Sequence, residues 1–107
     1  MKPTLILAPL LIFATVALAA PKKDSSDIAL QLGTVLAAED FCGLTYDQGM
    51  IAAFIEKNVA ADDMGFASLL QLMTAGKQSA QKGMTASAKA AHCTQIRRTA
   101  KANAFIR

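Results

Sequence analysis

Apolar residues recur along this chain at the three-to-four-residue spacing of helices, and nowhere with the sustained alternation of a half-exposed strand. Ile28, Leu32, Val35 and Leu36 follow an i, i+4, i+7, i+8 pattern, and the same face reaches Cys42. This predicts a first helix from about Asp27, capped by Ser26 or Asp27, to Gly43. Thr45-Tyr46-Asp47-Gln48 has the form of a capping box, in which the threonine and glutamine side chains satisfy orphan backbone amides reciprocally. A second helix is therefore expected from Tyr46, turning Ile51, Phe54, Ile55 and Val59 inward. Its Gly49, unfavourable by about 1 kcal/mol relative to alanine, is a candidate for a close helix approach. Phe66, Leu69, Leu70 and Met73 make the stripe of a third helix, capped by Asp62 or Asp63 and stopped by Gly76. The fourth is expected from about Thr85 to Phe105. His92, Cys93, Ile96, Ala100 and Ile106 share one broad face of it, and Arg97, Arg98 and Lys101 the opposite arc. Pro21 is the last proline, and alanine supplies 18 of residues 20–107, which favours helix throughout. The expected fold is all-α: a small four-helix bundle spanning residues 27–107.

The N-terminal segment is of another kind. A positive start at Met1-Lys2-Pro3 leads into an apolar run from Leu5 to Leu18, broken only by Pro9 and Thr15. Ala17-Leu18-Ala19 then supplies the small residues of a cleavage site, so residues 1–19 read as a secretory signal removed near Ala19-Ala20. The alternative, an uncleaved anchor, has only the minimum length for a span and is weakened by Pro9. Residues 20–26 read as a polar, flexible lead-in. About 88 residues then remain, enough for one small domain but not for a two-domain enzyme or a doubly wound nucleotide-binding sheet. The mature chain is expected to be periplasmic or secreted, with no transmembrane segment.

Export changes the meaning of the two cysteines. Cys42 and Cys93 both follow the signal, and an even count in an oxidising compartment predicts a disulfide. Closing a loop of about 50 residues contributes ~4 kcal/mol in the chain-entropy picture, a large share of a small domain's stability. Zinc would need more soft ligands at short spacing, and His92 is the only histidine. There is no C-x-x-C redox pair and no haem-attachment motif, so neither metal nor cofactor is expected from the cysteines.

Charge is segregated along the sequence. Residues 20–63 hold eight acids and three bases, whereas residues 64–107 hold seven bases and no acid. Arg97, Arg98, Lys101 and Arg107 are thus candidates for a basic surface that docks an acidic partner or lipid headgroups. The competing explanation is dipole complementarity: acids cluster at helix starts and bases near helix ends. Nucleic acid is not expected, because no base-stacking aromatics are interleaved with the bases.

Other motifs fail on inspection. Around Gly76-Lys77 a phosphate loop would need glycine at Gln71 and a hydroxyl residue at Gln78. Asp62-Asp63-Met64-Gly65 lacks the alternating acids of a calcium loop. Cys93 and His92 are adjacent on a helix and so diverge by about 100°, which does not suit a nucleophile and its base. His92 on the apolar face is a candidate ligand contact, including a haem ligand with Met50 or Met73 opposite. The commoner role for such a histidine is a hydrogen-bonded core position. No catalytic residue is predicted.

The block Leu36-Ala37-Ala38-Glu39-Asp40-Phe41-Cys42, followed by Tyr46-Asp47-Gln48, Phe54-Ile55, Phe66, Ala91-His92-Cys93 and Phe105-Ile106, resembles a group of short exported two-cysteine proteins of alphaproteobacteria. The resemblance covers most of the chain after the signal. It implies compartment and pattern but no activity. Some members of that group carry the label "signal recognition particle", yet this sequence has neither a GTPase phosphate loop nor methionine-rich RNA-binding helices. In layout the chain is also similar to the small periplasmic acid-stress chaperones, which are short, helical and tied by one long-range disulfide. The expected function is a non-enzymatic protein that binds another protein, or a chaperone-like variant of this. The alternatives are a small-ligand or haem carrier using the bundle interior at His92, and association with anionic surfaces through the last helix.

Overall fold

The computed structural model describes residues 24–107; the expected signal, residues 1–19, and most of the expected lead-in lie outside the described residues. Four helices follow one another: α1 (Ser25–Phe41), α2 (Gln48–Asn58), α3 (Phe66–Gln81) and α4 (Ala86–Ala102). The described residues contain no strand. The all-α four-helix bundle is therefore the observed fold. Cys42 and Cys93 form its disulfide, with their sulfurs 2.05 Å and their Cα atoms 5.4 Å apart.

The bundle is organised around α1. Its predicted stripe of Ile28, Leu32 and Val35 is buried, but so are Ala29, Gly33, Ala37 and Ala38. Ala29, Gly33 and Ala37 fall at i, i+4 and i+8, a second row of small residues beside the apolar stripe. Helix α3 makes by far the most extensive contact with α1, and α4 a much smaller one. At Gly33 the two backbones nearly touch. A Cβ there would lie 3.0 Å from Met73 Cβ and 3.2 Å from the Thr74 backbone nitrogen. The close approach is thus made by Gly33 and not by Gly49, whose missing Cβ would meet nothing nearer than its own cap, Asp47, at 3.3 Å.

Helix ends depart from the sequence-based expectations in instructive ways. Helix α1 starts two residues before Asp27, because the side chain of Asp24 accepts from the Ser26 amide and serves as the cap. Hydrogen bonds from Ser26 hold the Asp24 carboxyl below the usual range. Helix α2 begins at Gln48, with Asp47 and not Thr45 accepting from the Met50 amide. The cause is Tyr46, whose side chain is drawn into the core and keeps residues 44–47 out of helical geometry. Helix α3 takes no cap from Asp62 or Asp63, since Gly65 occupies the cap position without a side-chain bond. Nor does it stop at Gly76. It continues to Gln81, because one mid-helix glycine costs only about 1 kcal/mol and does not by itself end a helix. Helix α4 is capped by Thr85, which accepts from the Ala88 amide, but ends at Ala102, short of Phe105.

Two helices end in the same way. After α1, Gly43 takes a left-handed φ of 66°, its amide donating to Asp40 O and that of Leu44 to Glu39 O. After α4, Ala104 takes φ 61°, its amide donating to Lys101 O and that of Phe105 to Ala100 O. Both are Schellman closures. Alanine in this region costs about 1 kcal/mol or more, and burial of the whole Phe105 side chain immediately after it, worth roughly 1.5–3 kcal/mol, offsets that cost.

The two mid-helix glycines should respond oppositely to alanine. Gly33→Ala forces α1 and α3 apart and should lower unfolding free energy in urea by about 1–3 kcal/mol. At Gly76 a Cβ would meet nothing within 4 Å, so Gly76→Ala should raise stability by roughly 0.5–1 kcal/mol. Equal effects of the two changes would contradict this packing.

Candidate functional site

Two concavities of the described surface share Phe105 in their lining. The first lies between the start of α1, the end of α2 and the end of α4. The second is a shallow basin where the α1–α2 corner meets the residues after α4. What fixes them is a compact knot at that corner. Tyr46 donates its hydroxyl to Val35 O at 2.8 Å, and its amide to Glu39 Oε2 at 2.6 Å. The Tyr46 ring lies 6.0 Å from Phe105, and Phe54 meets Phe105 edge-on at 5.8 Å. The Asp47 amide donates to Phe105 O at 2.8 Å, so backbone as well as side chains join the corner to the chain after α4.

The basin carries the charge. Lys101 and Arg107 border it, while Met50, Phe105 and Ile106 contribute apolar surface. Met50 is exposed. Asp47 also lines the basin, with one carboxylate oxygen engaged in capping α2. Arg97 precedes Lys101 by one helical turn and Arg98 by three residues, so both bases extend the basin's positive edge along α4. All four bases are exposed. Among the described residues none of them faces a carboxylate at ion-pairing distance; Arg98 only donates to Gln95 Oε1, at 3.4 Å.

His92 is placed elsewhere. It is half-buried on α4, its ring centroid 6.3 Å from that of Phe41, over which the Lys89 ammonium sits at 4.5 Å. Its Nε2 is buried without a hydrogen-bond partner among the described residues. It lines neither concavity. Of the two methionines considered opposite it, Met73 is taken up at the Gly33 crossing and Met50 lies at the basin. Among the described residues no group of three or more His, Cys, Asp or Glu side chains is placed to hold a metal ion. No described helix is long and apolar enough to cross a membrane.

The carboxylates nearest the concavities have structural work. Glu39 accepts from Tyr46, Asp47 caps α2 and Asp24 caps α1. The role of Glu39 depends on a partner seven residues away, which no local pattern signals. The apolar lining of the first groove was equally hidden, because it is assembled from three helix ends. No protein-family profile, curated protein or solved structure matches the chain.

Tyr46 gives this corner a spectroscopic signature, being the chain's only tyrosine. Burial, and secondarily the Glu39 charge, push its phenol up to about 12 from an ordinary 10. A raised phenol pKa favours the neutral native form, so the associated stability is complete below pH 10 and is lost as pH rises towards 12. Phenolate absorbance should appear about two units later in folded protein than in denatured protein. Glu39→Gln should bring the folded midpoint down. A folded midpoint at 10 would contradict the buried corner.

Proposed function

We propose that this is an exported, non-enzymatic helical protein that works by binding another protein. It takes an acidic, apolar-bearing segment of that partner along the basic strip of α4 and into the adjoining basin. The observation that carries the reading is the run of four exposed bases, Arg97, Arg98, Lys101 and Arg107, none within ion-pairing distance of a carboxylate among the described residues, that leads to an apolar patch at Met50 and Ile106. Positive potential along the strip steers an acidic partner and sets register, while the apolar patch slows its release. Export is supported by the signal-like N-terminus and by the disulfide, which suits an oxidising compartment. The resemblance to short exported two-cysteine proteins points the same way, and the layout shared with acid-stress chaperones favours protein binding over catalysis. A non-enzymatic role is further supported by the employment of Glu39, Asp47 and Asp24 in the fold, and by the position of His92 outside both concavities.

A fluorescent peptide of alternating glutamate and leucine residues is a suitable probe, read by anisotropy against oxidised protein. Binding should saturate and weaken with added salt. The triple change Arg97→Gln, Arg98→Gln, Lys101→Gln should reduce affinity about tenfold, the sum of three exposed charge contacts. Unchanged affinity in the triple variant would overturn the reading. Binding to phosphatidylglycerol vesicles without any binding of the peptide would reassign the strip to anionic surfaces.

A further inference from the structure

The first groove differs from the basin in chemistry. It encloses about 760 Å³ and opens to solvent between three helix ends. Ile28, Leu32 and Val35 of α1, Phe54 and Val59 from the end of α2, and Phe105 give it an apolar lining. Among the described residues its remaining lining is neutral except for Lys57 and contains no carboxylate. Size and lining fall within the range of sites that take a small organic ligand.

The polar groups narrow the class of ligand. Asn58 and Asn103 both line the groove, and both already donate to carbonyls of their own helices, Phe54 O at 2.8 Å and Thr99 O at 2.9 Å. The Lys57 ammonium is the single full charge and a donor without a carboxylate among the described residues. A cationic ligand would meet this charge unfavourably. A purely apolar one would leave the exposed Lys57 ammonium in water and gain nothing from it. A multiply charged anion would need further bases or a cradle of backbone amides, and the described lining supplies no second base. An apolar chain ending in one carboxylate satisfies both parts of the groove.

We infer that the groove between α1, α2 and α4 is a binding site for a monoanionic amphiphile of the fatty-acid class, its chain on the apolar lining and its carboxylate on Lys57. The site is separate from the α4 strip and does not depend on it.

Dodecanoate, below its micellar concentration, is the probe, and amide chemical shifts of the oxidised protein locate it. Saturable shifts should appear at Ser25, Phe54 and Asn103. Lys57→Gln should weaken dodecanoate about tenfold, as loss of one charge-assisted contact predicts, and leave dodecanol unaffected. Ala60→Trp, at an exposed lining position, should obstruct both ligands while the fold persists. Neutralising Arg97, Arg98 and Lys101 should leave dodecanoate affinity unchanged, which separates this site from the peptide-binding strip. Shifts confined to Arg97, Arg98 and Lys101 would overturn the inference, as would equal affinity for dodecanoate and dodecanol. So would displacement of dodecanoate by a neutral leucine-rich peptide, which would assign the groove to a protein segment.

Discussion

Oxidation of Cys42 and Cys93 ties the C-terminal end of α1 to the middle of α4, and the geometry of both concavities follows from that tie. Helix α3 needs no such help. It lies on α1 through extensive contact, with Gly33 allowing the backbones to approach. Helix α4 has a much smaller contact with α1, and its buried residues are few: Cys93, Ile96 and Ala100. Two of these are small, so hydrophobic burial alone gives α4 little hold. The bridge spans 51 residues of sequence, a separation at which the denatured chain is constrained by roughly 4 kcal/mol in the chain-entropy picture.

Beyond the bridge, the end of the chain is set by Phe105. The left-handed Ala104 turns the backbone so that this ring enters between Tyr46 and Phe54, while its carbonyl accepts from Asp47. The knot has consequences on two sides. It places Lys101 and Arg107 around the basin, and it supplies one wall of the apolar groove. A single buried ring thus lies between a charged surface and an apolar one. The two can have different ligands because their polar groups differ, with Lys101 and Arg107 at the basin and Lys57, the one charge among the described lining residues, at the groove.

The helices and most of the core were legible in the sequence because they depend on local periodicity. Ile28, Leu32, Val35, Phe66, Cys93 and Ile96 are all buried where their spacing put them. The disulfide was legible from cysteine count and compartment. What could not be read was anything decided by distant partners. Gly33 looks like a weak point of an alanine-rich helix until α3 is seen across it. Thr45 and Gln48 match a capping box, yet the pull of Tyr46 into the core hands the cap to Asp47. Gly76 resembles a stop signal, but α3 runs on through it to Gln81, since a single glycine costs a helix only about 1 kcal/mol. The bases of α4 were visible as a run of charge; that no described carboxylate lies within ion-pairing distance of them, and that they lead to an apolar basin, required the fold.

Hydrogen exchange compared between oxidised and reduced protein tests the role of the bridge directly. If the bridge holds α4 in place, reduction should strip protection from α4 and from the Asp47 amide bonded to Phe105, while the amides of α1 and α3 around the Gly33 crossing stay protected. Uniform loss across all four helices, or protection of α4 unchanged by reduction, would contradict the account.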